Sequence, residues 1–509
     1  MRFEIKGDYF NGQFNLQAKP GSLTGREACD EVIEKFSPAN LEDMLWVCPV
    51  DYRHIDAIVE SAQKGFHYWK KISFEERSNY LKKYQECLLT RKNKIATAIS
   101  LETGKPLWES HTEVDAVIAK IDITINESLK RIQTLTFKNI MPDTTGEVHH
   151  RPIGPCLIIG PFNFPCHLAN GQIVSALLAG NSIIFKPSEK TIYSAQLLIE
   201  CFHEAGFPNN VINFINGSGE VAKRIIKEKS IKGIYFTGSK EVGKSILELT
   251  HQDLTKLVAL ELGGKNTSIV HCDANLDHAL AELIKACFLT SGQRCVSTSK
   301  IAVHASIKDE LVDRFHQLAK RIIIDHPIEF EQEPFMGPLI DKKSLENYLV
   351  YMGMAKREGF DEIMRGKQLE KKFQGYYVSP SIHYIDSMKD EGHFLGSEIF
   401  GPNCVFLPYN DIEQAIKITN ASEYGLATGV FTSDDKIFRH CLEEIDSGII
   451  NLNRATAGAS SKLPFGGVKN SGNYRPAGVS MIDSCVHPVS SLLLEAQQKV
   501  DFNKITGIQ

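Results

Sequence analysis

Cys156-Leu157-Ile158-Ile159, Ser182-Ile183-Ile184-Phe185, Val211-Ile212-Asn213-Phe214 and Gly233-Ile234-Tyr235-Phe236 are four short β-rich runs within the span from Pro155 to Val270, and helical segments follow most of them. Strand and helix in alternation specify a parallel sheet flanked by helices, because a parallel crossover needs a dozen or more residues and uses a helix to cover the sheet. Such a sheet gathers loops at the carboxyl ends of its strands, where dinucleotides bind. Upstream, about 145 residues read as helical after an extended N-terminal arm, from apolar residues at helix spacing in Ile55 to Trp69, Phe74 to Arg91 and Val114 to Ile132. Downstream, Thr267 to Val270 and Leu276 to Leu289 lead to Thr290-Ser291-Gly292-Gln293-Arg294-Cys295. A second α/β segment then runs to about Gly472, with strand-like Ile301-Ala302-Val303, Val405-Phe406-Leu407 and Gly429-Val430-Phe431 and helices at Asp309 to Ile323 and Ile412 to Asn420. Gly458 to Gly478 reads as a long functional loop and Cys485 to Ala496 as a late strand.

The 509 residues suffice for two or three domains and a deep site, and 42% hydrophobic with 23% charged residues is ordinary globular composition. A net charge of −5 gives no electrostatic reason to expect nucleic acid or an anionic membrane as partner, which leaves small molecules. The N-terminal Met1 to Asp8 mixes both signs of charge and lacks an export signal's apolar run, and the apolar stretches fall short of the roughly 20 residues that span a bilayer. Twelve cysteines are scattered without a CxxC pair, so reduced thiols in a cytoplasm and no metal site are expected.

Cys295 follows a helix-then-glycine segment and stands beside Arg294, a setting that favours a thiolate and turns backbone amides toward a ligand. Glu261, in Leu260-Glu261-Leu262-Gly263-Gly264, is a carboxylate wedged between apolar residues, and burial raises such a group toward a useful base. Asn163 in Pro161-Phe162-Asn163-Phe164-Pro165 follows the first strand with rigid neighbours, so its amide suits a developing oxyanion. Lys186-Pro187-Ser188-Glu189 follows the second strand. There Lys186 and Glu189 can address an adenosine ribose, and the carboxylate would accept from a 2′-hydroxyl but repel a 2′-phosphate, so NAD is expected over NADP. Thr237-Gly238-Ser239-Lys240-Glu241-Val242-Gly243 sets a Gly-Ser turn before a helix whose first amides can meet a pyrophosphate, although it is not the usual three-glycine fingerprint.

Together these pieces resemble the aldehyde dehydrogenase superfamily, in order from Glu102-Thr103-Gly104-Lys105-Pro106 to Pro464-Phe465-Gly466-Gly467. Glu261 precedes Cys295 by 34 positions, the family's gap, and Glu398-Ile399-Phe400-Gly401-Pro402 resembles its nicotinamide-side motif, which implies Glu398 on the ribose and Phe400 packing nearby. Within the superfamily the likeness is greatest to the branch that oxidises N-succinylglutamate 5-semialdehyde in arginine catabolism. It rests on Asn163-Phe164-Pro165 with His167-Leu168 and Asn170-Gly171, and on Ser471-Gly472-Asn473-Tyr474-Arg475-Pro476. Cys166, where that branch has Gly, and Lys265-Asn266-Thr267 are departures.

The resemblance implies an NAD-binding domain at 1–131 and 153–260, a catalytic domain at 261–478, and a small β oligomerisation segment at 132–152 and 479–509. It also implies that Lys138 to Arg151 and Cys485 to Ala496 pair across subunits in a homodimer or homotetramer. Cys295 is expected to attack the aldehyde, with the oxyanion held by Asn163 and the Cys295 N–H and the thioester hydrolysed by water that Glu261 deprotonates. A substrate with remote carboxylates calls for cations, and Arg454 and Arg475 are the candidates. A dehydrogenase for succinate or glutamate semialdehyde, and a catalytically silent binding protein, remain alternatives.

Overall fold

The computed structural model describes residues 1–16, 29–387, 392–494 and 506–507. Its first sheet runs, edge to edge, Leu257–Glu261, Gly233–Thr237, Cys156–Ile159, Ile183–Lys186, Ile212–Phe214, Asp8–Phe10 and Gln13–Asn15. The first five strands are parallel, and Tyr9 pairs antiparallel with Phe214, so the N-terminal arm ends the sheet as a short hairpin. Cys156–Ile159 and Ile183–Lys186 are buried along their whole length, which is why they read as unbroken apolar runs. Helices His167–Ala179 and Ile192–Glu204 are almost wholly buried, while Lys240–Thr250 keeps a polar outer face.

A second seven-stranded sheet runs Asp361–Met364, Ser381–Tyr384, Asn403–Tyr409, Thr298–His304, Asn266–Val270, Ala427–Phe431 and Ile449–Leu452, parallel except for its first strand. The chain passes between the sheets through Leu262 to Lys265. Glu261 thus closes the first sheet's edge strand only five residues before Asn266 begins a central strand of the second.

The upstream region is less helical than its periodicity suggests. Glu31–Ser37 and Asn40–Val50 form an antiparallel hairpin, and the helices are His54–Trp69, Phe74–Thr103 and Leu107–Asn126, the last followed by a short 3-10 turn at Ser128–Ile132. Ser73 opens the longest helix with a reciprocal capping box to Glu76, and left-handed Gly104 ends it.

A three-stranded antiparallel sheet joins Leu135–Met141, Thr144–Pro152 and Val486–Leu494. Within one chain the late strand pairs with 144–152, Val486 opposite Pro152 through Leu494 opposite Thr144. Nine consecutive residue pairs close this ladder because the late strand leaves a 3-10 turn, Val479–Cys485, packed on the first sheet's helices. The predicted strand's last two residues, Glu495 and Ala496, lie outside the described residues. No helix among the described residues is long and apolar enough to cross a membrane.

Candidate active site

Cys295 follows a forced turn. After helix Leu276–Phe288 the backbone enters the left-handed region at Thr290, Ser291 and Gly292, with φ of 55°, 54° and 69°. Two non-glycine residues in that region cost about 1–3 kcal/mol each. A dense set of bonds holds them. Glu109, buried on helix Leu107–Asn126, accepts from the Thr290 N–H at 3.2 Å, from the Thr290 hydroxyl, and from Arg294 Nη2 at 2.5 Å. The Ser291 hydroxyl donates to the Gly337 carbonyl at 2.7 Å, and the Ile340 N–H donates to Gln293 Oε1 at 3.0 Å. A Cβ on Gly292 would lie 2.3 Å from the Gly401 carbonyl oxygen, so only glycine fits. Burial would raise the Glu109 carboxyl, but Arg294, Lys105 and the hydrogen bonds outweigh it and hold the group below its usual range.

Beyond the turn, Asn266 fixes the cysteine from the second sheet. Its Nδ2 donates to the Cys295 carbonyl at 2.7 Å and to the Ser297 carbonyl at 2.9 Å, while its Oδ1 accepts from the Ala427 N–H at 3.0 Å. Gly264 must be glycine here too, because a Cβ would sit 2.3 Å from the Cys295 carbonyl oxygen. Asn163, at the carboxyl end of the first sheet, donates its amide to the Gln293 carbonyl at 2.9 Å.

The cysteine's electrostatics differ from the sequence expectation. Arg294 is turned away, onto Glu109 and 5.0 Å over the Phe164 ring, so sequence adjacency to an arginine brings Cys295 no cation. Burial, followed by the carboxyls of Glu398 and Glu261, pushes its thiol up to about 12, against the backbone N–H groups of Cys295 and Val296, which favour the thiolate. Glu261 is held well above the usual carboxylate range by burial, against one hydrogen bond, from the Ala477 N–H at 3.2 Å. Its second oxygen is buried without a partner.

Cys295 and Asn163 open onto a cleft of about 910 Å³ that Phe162, Gly238, Ser239, Lys240, Glu241, Gly263, Glu398 and Phe400 also line. Ser239 caps helix Lys240–Thr250 by accepting from the Val242 N–H at 3.4 Å, which aims the helix's first amides at this cleft. Gly243 lets that helix lie on Leu262, whose Cδ2 would be 2.7 Å from a Cβ at that position; Val242 itself points outward, 48% exposed. The Lys240 ammonium pairs with Glu423 at 3.1 Å. Glu398 accepts from the Gly264 N–H at 3.0 Å, and burial brings it up to about 7. Phe400 meets Phe162 edge to face at 5.8 Å. Lys186 and Glu189 stand 3.7 Å apart, the lysine buried and the glutamate half exposed.

Glu261 faces a second, smaller cleft of about 250 Å³ with Gly466, Gly472, Tyr474, Arg475 and Pro476. The two candidate arginines therefore part company. Arg475 lines this cleft, whereas Arg454 has a side chain 71% exposed, 4.0 Å from Glu282, and lines neither one. Glu109, Asn266 and Gln293 were given no role in the sequence; of these only Asn266, within the departure Lys265-Asn266-Thr267, carried a local signal.

The aldehyde dehydrogenase family matches residues 25–489. The chain is 33% identical over 471 residues to N-succinylglutamate 5-semialdehyde dehydrogenase of Photorhabdus laumondii, covering 92% of this chain and 94% of that protein. It is 36% identical over 445 residues to N-succinylglutamate 5-semialdehyde dehydrogenase 1 of Caulobacter vibrioides, covering 87% and 92%. Among solved structures, an NAD-dependent aldehyde dehydrogenase from Sinorhizobium meliloti superposes with a TM-score of 0.90 at 26% identity, covering 97% of this chain and 96% of that one.

Proposed function

Because the chain belongs to the aldehyde dehydrogenase family, we propose that it oxidises N-succinyl-L-glutamate 5-semialdehyde to N-succinyl-L-glutamate, with NAD as the acceptor. The substrate is the one named for both relatives, and the acceptor is the one named for the Sinorhizobium enzyme. One observation carries the reading. A cysteine fixed on both flanks opens into a cleft of dinucleotide size, while a dry carboxyl with one free oxygen lies close enough to raise its pKa.

In this reading the Cys295 sulfur forms a bond to the aldehyde carbon and its proton is released. The carbonyl oxygen gains negative charge, which the Asn163 amide and the Cys295 N–H stabilise where it develops. When bound, the dinucleotide would supply the hydride acceptor, and loss of hydride from that carbon leaves Cys295 acylated as a thioester. Glu261 then takes a proton from water, whose oxygen attacks the thioester; the C–S bond breaks and the thiolate leaves. The helix amides at Ser239, Lys240 and Glu241 would face the pyrophosphate, with Val242 and Gly243 shaping that turn. Lys186 and Glu189 would address the adenosine ribose, and Glu398 and Phe400 the nicotinamide end. Glu189 supports NAD over NADP, since a 2′-phosphate would meet its carboxylate.

The division into an NAD-binding part (1–131, 153–260), a catalytic part (261–478) and a β extension belongs to the same proposal. Leu135, Phe137, Leu492 and Leu494, all about half exposed on one face of the three-stranded sheet, support a homodimer or homotetramer through that face. Purified protein should form one NADH per N-succinylglutamate semialdehyde, faster than with succinate or glutamate semialdehyde and faster than with NADP. Equal or better turnover of a simpler semialdehyde refutes the substrate, and no reduction with any aldehyde refutes the activity.

A further inference from the structure

Lys120 is a buried ammonium with no counter-ion. It lies on helix Leu107–Asn126, 2% exposed, and its Nζ donates to the Gly478 carbonyl at 3.0 Å. No carboxylate among the described residues comes within ion-pair distance of it. Lys105 on the preceding turn shows the ordinary solution, with Glu113 at 2.6 Å and both side chains fully buried. An uncompensated cation in such a place costs several kcal/mol, so lysines are almost never fully buried unless paired.

The surroundings of Lys120 give that cost a purpose. Its Cε lies 3.6 Å from where a Cβ on Gly171 would stand, and no other side chain packed on Gly171 comes within 4 Å of that point, so the missing side chain leaves room beside the lysine. On the segment that carries Gly171, residues Phe164, His167, Leu168 and Gly171 recur at helical spacing and stay partly accessible, while Ala169, Asn170 and Ile173 are buried. Leu168 on this face already lines the cleft that holds Cys295 and Asn163. His167 presents a buried Nδ1 with no partner. The carbonyl that Lys120 binds belongs to Gly478, next to Ala477, whose N–H donates to Glu261. The ammonium thus holds the same Ala477-Gly478 segment as the proposed base, and it touches the cleft-lining helix at Gly171, one turn along from Leu168.

We propose that Lys120, with His167 beside it, is the anchor for a carboxylate on the substrate's tail. This rests on the proposed aldehyde oxidation and deepens it: the substrate class becomes aldehydes that carry a carboxylate several atoms from the carbonyl. Burial pushes the Lys120 ammonium down to about 8, so it is mostly charged near neutrality, and an arriving carboxylate supplies the missing counter-charge. Lys120 is thereby the buried cation that neither exposed arginine supplies.

The test compares Lys120→Gln, Lys120→Met and Lys120→Arg with wild type on N-succinylglutamate semialdehyde, on succinate semialdehyde, and on the uncharged aldehyde pentanal. Losing one charge-assisted contact should raise KM for the carboxylated aldehydes by about ten- to a hundredfold, with kcat nearly unchanged. It should leave kcat/KM for pentanal within about twofold, and Lys120→Arg should restore part of the KM. The melting temperature of Lys120→Met should hold or rise, because the variant removes a buried unpaired charge. A parallel loss on pentanal, or a fall in melting temperature with unchanged KM, assigns Lys120 to holding the Gly478 segment and overturns the proposal. Wild type that oxidises pentanal but not the carboxylated aldehydes overturns the substrate reading instead, and wild type inert on all of them overturns the activity itself.

Discussion

Replacing Glu109 by alanine removes the carboxylate that holds the turn before Cys295. Two of the bonds lost, from the Thr290 N–H and hydroxyl, fix a residue in the left-handed region, and the third leaves the Arg294 guanidinium, its side chain 14% exposed, without a counter-charge, its Nε still donating to the Thr290 hydroxyl at 2.8 Å. Breaking a buried ion pair from one side costs about 3–5 kcal/mol. The strain stored at Thr290 and Ser291 is about 2–6 kcal/mol, of the same size, so the turn gains reason to relax as its restraint disappears. A shift of about 1 Å at the sulfur costs on the order of 10² in turnover. Glu109→Ala should therefore melt several degrees lower and lose about 10² in kcat. Its NAD affinity, read by titration, should stay within about twofold, because Glu109 contacts nothing that lines the cleft's helix-amide end. The double variant Glu109→Leu/Arg294→Met removes both charges and should recover much of the melting temperature without the kcat. If kcat returns with stability, or if Glu109→Ala keeps more than half its turnover, the pair supplies stability and does not position the nucleophile.

Glu261→Gln should lose about 10²–10⁴ in steady-state turnover while keeping a single-turnover burst of NADH and a trapped acyl adduct on Cys295; a variant without burst or adduct shows that Glu261 acts earlier than hydrolysis. Because the folded-state pKa of Glu261 is raised, its ionisation opposes folding, with no penalty below the ordinary value of 4.5 and a growing one as pH climbs toward the folded value. The melting-temperature gain of Glu261→Gln should accordingly widen as pH rises above 5 and level off once pH passes the folded value, and a constant difference contradicts the burial argument. Alkylation of Cys295 in the apoprotein should rise about tenfold per pH unit without levelling below pH 10, as a thiol pushed up to about 12 demands; a plateau near pH 8 would sink this. In Gly263→Ala a Cβ would stand 2.1 Å from Glu398 Oε2, so NAD should bind about tenfold more weakly in a fluorescence titration, and unchanged binding removes Glu398 from the nicotinamide end.

What could be read from sequence divides along physical lines. The buried strands of the first sheet were legible because burial on both faces writes a continuous apolar run, and Glu261 was legible because a carboxylate between two leucines contradicts its neighbours. The hairpin of Glu31–Ser37 and Asn40–Val50 was not: its first strand lacks period-two alternation of apolar and polar residues, with Val32 and Phe36 exposed and Lys35 buried. Arg294 misled because the left-handed turn separates neighbours in sequence, sending its guanidinium to a helix 185 positions away. Lys120, between Ala119 and Ile121, was passed over because a lone lysine on an apolar helix face is ordinarily read as reaching out to solvent, and its burial depends on Gly478, 358 positions away. Pairing of the late strand with Thr144–Pro152 inside the chain is likewise a property of distant segments.

The strained turn also joins two groups that look independent. The Asn163 amide carries two N–H bonds, and the one donated to the Gln293 carbonyl fixes the plane of the amide, leaving the other for the cleft. Gln293 lies between Gly292 and Arg294, so the peptide that orients the oxyanion donor is the one that Glu109 restrains on behalf of Cys295. Relaxing the turn therefore displaces nucleophile and donor together, and a later loss of the donor removes little that was still in place. Asn163→Ala alone should cost about 10²–10³ in kcat. Were the two sites independent, the double variant with Glu109→Ala would lose the product of the separate factors, about 10⁴–10⁵. Coupling through Gln293 holds the loss to about 10³, read as kcat from steady-state assays on all four proteins of the cycle. A fully multiplicative loss would show that the Gln293 bond orients nothing, and that Asn163 is held by its own rigid neighbours Phe162, Phe164 and Pro165.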